Sequence, residues 1–124
     1  MIKAQNPKQN SKYDLEARTL KFAKAVRAFA RKLLKTIANI EDGKQLIRAS
    51  GSVGANYIEA NEAISKKDFL LRIKICRKEA KESWFWLNLV FTGNDDALEE
   101  ERLLLEGEAL ELAKIFSSIL EKSK

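Results

Sequence analysis

Histidine is absent from this chain of 124 residues, and cysteine occurs once, as Cys76. Without histidine, neither a Ser-His-Asp triad nor a Cys-His pair is possible, and the usual zinc ligand sets cannot be assembled. One cysteine also excludes a disulfide within the chain and fits the reducing conditions of the cytoplasm. The sequence therefore argues against the commonest hydrolases and metalloenzymes, and we expect no metal and no other cofactor.

Proline occurs once and glycine five times, which leaves few positions for the tight turns of a β-rich fold. No run of eighteen or more apolar residues is present, so we expect no membrane-spanning helix and no membrane partner. The first residues, MIKAQNPKQNSK, are polar and lack the apolar centre of a secretory signal. We interpret residues 1–12 as a flexible polar tail and residues 13–121 as one domain with a single hydrophobic core.

The chain is rich in alanine, leucine, lysine and glutamate, which favour helix. Apolar residues recur in steps of three and four in four segments, at about 14–37, 42–61, 66–91 and 97–121. Three of these segments carry an inward face. In the first it is formed by Leu15, Thr19, Phe22, Val26, Phe29, Leu33 and Ile37, and in the third by Phe69, Ile73, Cys76, Ala80, Ser83, Leu87 and Val90. In the fourth it is formed by Leu98, Leu105, Ala109, Leu112, Phe116 and Ile119, with Arg102 breaking the register. Helices of this length with short turns predict an all-α fold, an antiparallel up-down-up-down four-helix bundle.

The second segment contains a concentration of small residues between positions 49 and 55. Gly51 and Gly54 share a helical face with Ile47 and Ile58, and a glycine inside a helix costs roughly 1 kcal/mol relative to alanine. We predict that this cost is tolerated because small residues let a neighbouring helix approach closely. A phosphate-binding loop is the alternative, but the SGSVG stretch lacks the Lys-Ser or Lys-Thr ending of such loops and no strand precedes it.

Local signals predict where the helices begin and end. Residues 39–43 form a polar connection between the first two helices. Ser65 and Asp68 have the spacing of a capping box at the start of the third helix, and Gly93 is suited to end that helix. Asp96 and Glu99 have the same three-residue spacing and predict the cap of the fourth helix.

Carboxylates are the remaining groups that could support catalysis. Glu59, Glu62, Glu79 and Glu82 could converge inside a bundle, but di-iron bundles also require Glu-x-x-His pairs. Asn56 and Glu59 lie one turn apart, and they form either a small polar site or, as we favour, structural hydrogen bonds. We therefore interpret the protein as non-enzymatic.

Charge is distributed unevenly along a chain whose formal net charge is +5. Residues 14–37 contain seven basic and two acidic residues, residues 66–91 seven and three, and residues 95–121 two and nine. Basic side chains near an aromatic such as Phe85 can bind a nucleic-acid backbone and stack a base, although a solvated outer face is the simpler interpretation. The candidate nucleic-acid-binding residues are Lys24, Arg27, Arg31, Lys74, Arg77 and Lys81.

The stretch from Gln45 to Leu89, together with its flanks, resembles the bacterial 23S rRNA intervening-sequence proteins, a family of four-helix bundles. The family pattern is a small-residue helix with S-x-G/P-x-N-x-x-E, then S-x-x-D-F and a basic third helix. The matching positions are Ser52, Gly54, Asn56, Glu59, Ser65, Asp68 and Phe69. The resemblance covers residues 13–120, although Glu59-Ala60-Asn61 lacks the glycine that many members have after the motif.

This resemblance implies a ring-like homo-oligomer, a pentamer, and similarity to the accessory proteins of diversity-generating retroelements, which bind a reverse transcriptase and nucleic acid. Two hypotheses follow: a cytoplasmic, homo-oligomeric bundle that binds RNA or another nucleic acid, and a protein-interaction scaffold without nucleic-acid contact. Apolar residues beyond one stripe on the third and fourth segments favour contact with another subunit or protein. They include Leu71, Trp86, Leu103, Leu104 and Leu110.

Overall fold

The computed structural model describes the backbone of residues 7–123 and the side chains of residues 15–123. This part of the chain forms four helices and no strand: α1 (Pro7–Arg31), α2 (Ile37–Asn61), α3 (Lys66–Leu89) and α4 (Asp96–Lys122). The predicted all-α class is confirmed. α1 begins inside the stretch that we assigned to a polar tail, since a proline is well tolerated in the first turn of a helix. Residues 1–6 lie outside the described residues.

Contacts between side chains show how the helices run. Arg18 of α1 binds Glu108 of α4, and Lys32 binds Glu101, so residue numbers rise along one helix as they fall along the other. The same opposite order relates each pair of consecutive helices. Between α1 and α2 the contacts are Glu16–Asn61 and Arg27–Ile47. Between α2 and α3 they are Asn56–Arg72 and Arg48–Glu82, and between α3 and α4 they are Trp84–Glu106 and Leu87–Arg102. Each helix contacts the next, α1 also contacts α4, and the diagonal pairs do not meet within the described residues. This is the arrangement of an up-down-up-down bundle.

The apolar faces predicted for α1, α3 and α4 point into the core. Every predicted α1 residue is buried except Ile37, which is 85% exposed because it belongs to the first turn of α2. In α3 and α4, Phe69 and Ile119 are partly buried and pack against the core, and the other predicted residues are buried. Cys76 is fully buried, and burial raises the pKa of its thiol to about 12, so it behaves as a small core residue.

The core-facing side of α2 was not specified by our prediction, which concerned only the face of small residues. The buried residues in the middle of this helix are Leu46, Ala49, Ser50, Val53, Tyr57 and Ala60. The face that contains Gly51, Gly54 and Ile58 lies toward α1 and the surface instead, and Ile58 is 53% exposed. Leu46, Val53 and Tyr57 supply the large side chains of this inner face at steps of seven and four residues, and Ala49, Ser50 and Ala60 are buried beside them.

The predicted close approach at Gly54 is confirmed. A Cβ atom added there would lie 2.8 Å from Oγ1 of Thr19 and 3.2 Å from its Cβ. Thr19 is only 1% exposed, and its hydroxyl donates to the carbonyl of Leu15 at 2.8 Å, so its side chain has no free direction in which to move. α1 therefore rests on the backbone of α2 at this point.

The connection between α1 and α2 lies earlier in the chain than we predicted. α1 ends at Arg31, and the Thr36 hydroxyl caps α2 by accepting a hydrogen bond from the Asn39 N–H. Residues 39–43 are therefore helical. Asn39 is 4% exposed, and its amide donates to the carbonyls of Leu34 and Phe91 and accepts from the Phe91 N–H at 2.8 Å. Asn39, whose polarity suggested a loop, therefore satisfies the hydrogen-bonding needs of backbone groups in two neighbouring segments.

The predicted Ser65 cap of α3 is confirmed, since its hydroxyl accepts a hydrogen bond from the Asp68 N–H. The end of α3 and the start of α4 differ from prediction by a few residues. α3 ends at Leu89, and Gly93 lies beyond the helix in a left-handed conformation with φ +69°. Asp95, one residue before the predicted cap, accepts from the Leu98 N–H. Glu99 instead pairs with Arg102 through two hydrogen bonds of 2.8 and 2.6 Å.

We expect Gly54→Ala to lower the free energy of unfolding, because the added methyl group overlaps the immobile Thr19 side chain, and overpacking of this kind costs about 1–3 kcal/mol. The control is Gly43→Ala in the same helix, where an added Cβ has no neighbour within 4 Å. Gly43→Ala should stabilise the protein by up to about 1 kcal/mol through helix propensity. Urea denaturation of both variants measures the difference, and equal gains would show that α1 does not rest on Gly54.

The Glu99–Arg102 pair predicts a pH dependence. Hydrogen bonds from Arg102 and Thr92 lower the pKa of Glu99 from 4.5 to about 2. The unfolded chain therefore binds the proton more readily, and the stabilisation is complete above pH 4.5 and disappears as the pH falls toward 2. We expect Glu99→Gln to lower the urea midpoint at pH 7 and to match the wild type near pH 2. A difference that persists unchanged at pH 2 would contradict this assignment.

Candidate nucleic-acid interface

The outward face of α3 is basic. Which residues lie on this face is determined by where the helix begins and by the burial of its opposite, apolar face. Ser65 sets the start of α3, and the core residues between Ile73 and Leu87 fix its rotation. Four lysines on the opposite side are exposed: Lys67, Lys74, Lys78 and Lys81. They span 15 residues, and the 14 steps between the first and the last cover roughly 21 Å along the helix axis at 1.5 Å per residue. We call these four residues the α3 lysine face.

The acidic residues of α3 lie on a different side of the helix, toward α2. Glu79 is 6% exposed, and a guanidinium nitrogen of Arg48 lies 3.7 Å from one of its oxygens. Arg48 also donates to Glu82 at 3.2 Å, while Lys78 approaches Glu79 at 3.8 Å. Within the described residues, no carboxylate lies within ion-pair distance of Lys67, Lys74 or Lys81. The positive charge of the lysine face is therefore directed to solvent.

Two apolar features accompany the lysines. At the start of α3, Lys67 and Lys74 flank Leu70 and Leu71 at the edge of an open depression of ≈ 490 Å³. Near the other end, Phe85 is 49% exposed and its ring meets Trp86 edge to face, with centroids 5.1 Å apart. An aromatic ring held in this way offers a surface on which a base can stack.

The six candidate residues do not come together. α1 and α3 are diagonal in the bundle, so Lys24 and Arg31, which are exposed, face away from Lys74 and Lys81. Arg77 is partly buried. Arg27 donates to the carbonyl of Ala23 at 3.2 Å and approaches that of Ile47 at 3.5 Å, beside Gly51. Its guanidinium group therefore connects α1 to α2.

The family-like positions form a structural connection between α2 and α3. Asn56 donates to the carbonyl of Ser52 at 2.9 Å and accepts from Arg72 at 3.2 Å. Arg72 in turn lies 4.0 Å from Asp68, next to the Ser65 cap. Glu59 is exposed and takes no part in these contacts. Arg72 was missed by sequence reasoning, since only its position one turn after Asp68 hinted at the pairing.

The carboxylates considered for catalysis are dispersed. Glu59 and Glu62 are exposed on α2, whereas Glu79 and Glu82 contact Arg48 at the α2–α3 interface. Across the described residues, no group of three or more His, Cys, Asp or Glu side chains is arranged to hold a metal ion. None of the described helices has the combination of length and apolar character needed to cross a membrane.

Comparison with known proteins gives the family. The family model described as 23S rRNA-intervening sequence protein matches residues 11–118. The chain belongs to this family. The family match includes all four helices, so the sequence resemblance is confirmed over almost the whole bundle.

A solved structure of a family relative agrees with the fold. It is a protein of unknown function from the S23 ribosomal protein family of Bacteroides thetaiotaomicron VPI-5482, which is similar to this chain at 29% identity with a TM-score of 0.74. The similarity covers 85% of this chain and 96% of that one. No curated protein matches this chain.

The Asn56–Arg72 contact can be tested by a double-mutant cycle. We expect Asn56→Ala and Arg72→Met each to lower the free energy of unfolding by about 1 kcal/mol, and the double variant to lose less than the sum, because both remove one hydrogen bond. Glu59→Ala, on the same helix, should change stability by less than about 0.5 kcal/mol. Additive losses from urea denaturation would show that the two side chains act independently.

Proposed function

We propose that this protein is a non-enzymatic, homo-oligomeric helical bundle that binds RNA in the cytoplasm through the α3 lysine face. The observation that carries the proposal is the separation of charge on α3. Within the described residues, Lys67, Lys74 and Lys81 have no carboxylate at ion-pair distance, while Glu79 and Glu82 lie against Arg48 of α2, so a polyanion meets unpaired positive charge along most of this face. The family name, which refers to 23S rRNA, supports RNA as the nucleic acid.

The face suits a short stretch of backbone rather than a base-specific site. Lysine ammonium groups contact phosphates without reading sequence, and they release condensed counterions when they do so. The depression beside Leu70 and Leu71 and the half-exposed ring of Phe85 are placed to receive unpaired bases at either end of the lysine row. The proposed ligand is therefore structured RNA with accessible single-stranded segments.

The test is an electrophoretic shift assay with fragments of ribosomal RNA at low and moderate salt. We expect Lys74→Ala combined with Lys81→Ala to weaken binding on every fragment and to reduce the salt slope by about 1–2, because two phosphate contacts are lost. Phe85→Ala should weaken binding to single-stranded segments by about 1–3 kcal/mol if a base stacks there.

The matched control removes the same charge from the opposite face, as Lys24→Ala combined with Arg31→Ala. This variant should bind with the affinity of the wild type. If the α1 variant loses affinity and the α3 variant does not, the assignment to the α3 face is wrong. Failure of the unmodified protein to shift any fragment at low salt would overturn the RNA-binding proposal.

The second candidate function is a protein-interaction scaffold. It is favoured by apolar side chains that remain exposed on the outer surface, among them Leu71, Leu89, Phe91, Leu103 and Leu104. The family resemblance adds the proposal that the chain assembles as a pentamer. Light scattering that gives five times the mass of one chain supports the pentamer. A stoichiometric protein partner, recovered after nuclease treatment, would favour the scaffold.

A further inference from the structure

Two exposed stripes on the outer surface have identical spacing, with steps of four, three, four, three and four residues. The α2 stripe consists of Lys44, Arg48, Gly51, Ala55 and Ile58, together with Glu62 at the C-cap of the helix. The α4 stripe consists of Asp96, Glu100, Leu103, Gly107, Leu110 and Lys114. All twelve residues are exposed except Gly51, which is partly buried. Alternating steps of four and three residues are the spacing of a helix–helix seam.

The stripes are complementary when the two helices run parallel. Lys44 and Arg48 then face Asp96 and Glu100, and at the other end Glu62 faces Lys114. Between the charges, the leucines of α4 face Gly51 and Ile58, and Gly107 faces Ala55. An antiparallel alignment places Lys44 against Lys114 and Glu62 against Asp96, so like charges meet at both ends, which is unfavourable.

The α2 stripe borders an apolar groove of ≈ 630 Å³ between α1 and α2. Small side chains leave the groove open, and Leu20 and Ile58, which are 55% and 53% exposed, form its apolar walls. On α4, Leu103 and Leu110 are 52% and 38% exposed. An apolar groove and a pair of exposed leucines with matching spacing suit each other as contact surfaces.

Gly107 is a second, independent indication. It lies in the middle of α4, where glycine costs roughly 1 kcal/mol relative to alanine, and a Cβ added there would have no neighbour within 4 Å. Packing among the described residues therefore does not require glycine at this position. A glycine at an exposed position suits the close approach of a helix from outside, because it allows two backbones to come close.

We propose that α4 of one copy lies in the α1–α2 groove of a second copy, parallel to α2, with Gly107 against Ala55. The two stripes cannot meet within one copy, since α2 and α4 are diagonal in the bundle. The contact is heterologous, so each copy offers a groove to one neighbour and α4 to another, and the assembly closes into a ring or grows into a filament.

The charged ends of the stripes also have acidic or basic neighbours within their own copy, as for Arg48 with Glu82 and Lys114 with Glu111. Because these charges already have partners, they contribute mainly to the direction and register of the two helices and less to the affinity of the proposed contact. The inference rests on the self-association proposed above but not on RNA binding, and its experiments measure assembly alone.

Disulfide trapping tests the register directly. Ala55→Cys and Gly107→Cys proteins are mixed and oxidised, and the native Cys76 is fully buried and does not compete. We expect a covalent 1:1 dimer from the mixture and little cross-linking of either variant alone. A chain that carries both substitutions should give a ladder of multimers. The control, Ala38→Cys mixed with Gly107→Cys, uses an exposed α2 residue outside the stripe and should remain uncross-linked.

Light scattering provides the second measurement. Leu103→Asp should reduce the assembly to single chains, whereas Leu34→Asp, at a leucine after the end of α1 that is 55% exposed, should leave its mass unchanged. Circular dichroism verifies that both variants remain helical. The proposal is overturned if the unmodified protein is monomeric, if Leu103→Asp assembles like the wild type, or if Ala55→Cys alone cross-links as efficiently as the mixture. The last result would indicate a symmetric α2–α2 contact.

Discussion

The close approach of α1 to α2 at Gly54 is the constraint on which the bundle depends. A buried threonine of α1 occupies the volume that any side chain at position 54 would need, and its hydroxyl is held by its own helix. The large apolar side chains of α1 are buried in the core, while Gly51, Gly54 and Ala55 of α2 lie at its edge. The close approach also leaves the shallow apolar groove on the outside, because the residues that permit the approach have little side chain to fill it.

The packing of the helices also determines which charged side chains pair with each other and which face solvent. Once α3 buries its apolar face, its glutamates lie against Arg48 of α2 and its lysines face solvent. α4 is strongly acidic and places Glu108 and Glu101 against Arg18 and Lys32 of α1. An exposed pair such as Lys32–Glu101 contributes only about 0–1 kcal/mol, so the main effect of these contacts is to favour one arrangement of helices over its alternatives. The basic face that remains is the surface available to a polyanion.

Sequence reasoning succeeded where a pattern is local. Alternating steps of three and four predicted the inner faces of α1, α3 and α4, and Ser65 followed by Asp68 predicted the start of α3. It failed at the α1–α2 connection, because Asn39 looks like a loop residue until its partner Phe91, 52 positions away, is known. The candidate basic residues were divided for a similar reason: Arg27 approaches the carbonyl of Ile47, 20 positions away on α2, and no local pattern identifies that partner.

The sequence by itself determined the helical class, the number of helices and the family, because periodicity, composition and motif spacing are properties of neighbouring residues. The tertiary structure decided which residues of α2 face the core, which cations are exposed on one continuous surface and which are committed to helix contacts. These depend on the rotation of each helix against its neighbours. That rotation is set by packing between residues distant in the chain, such as Thr19 and Gly54, and no local pattern specifies it.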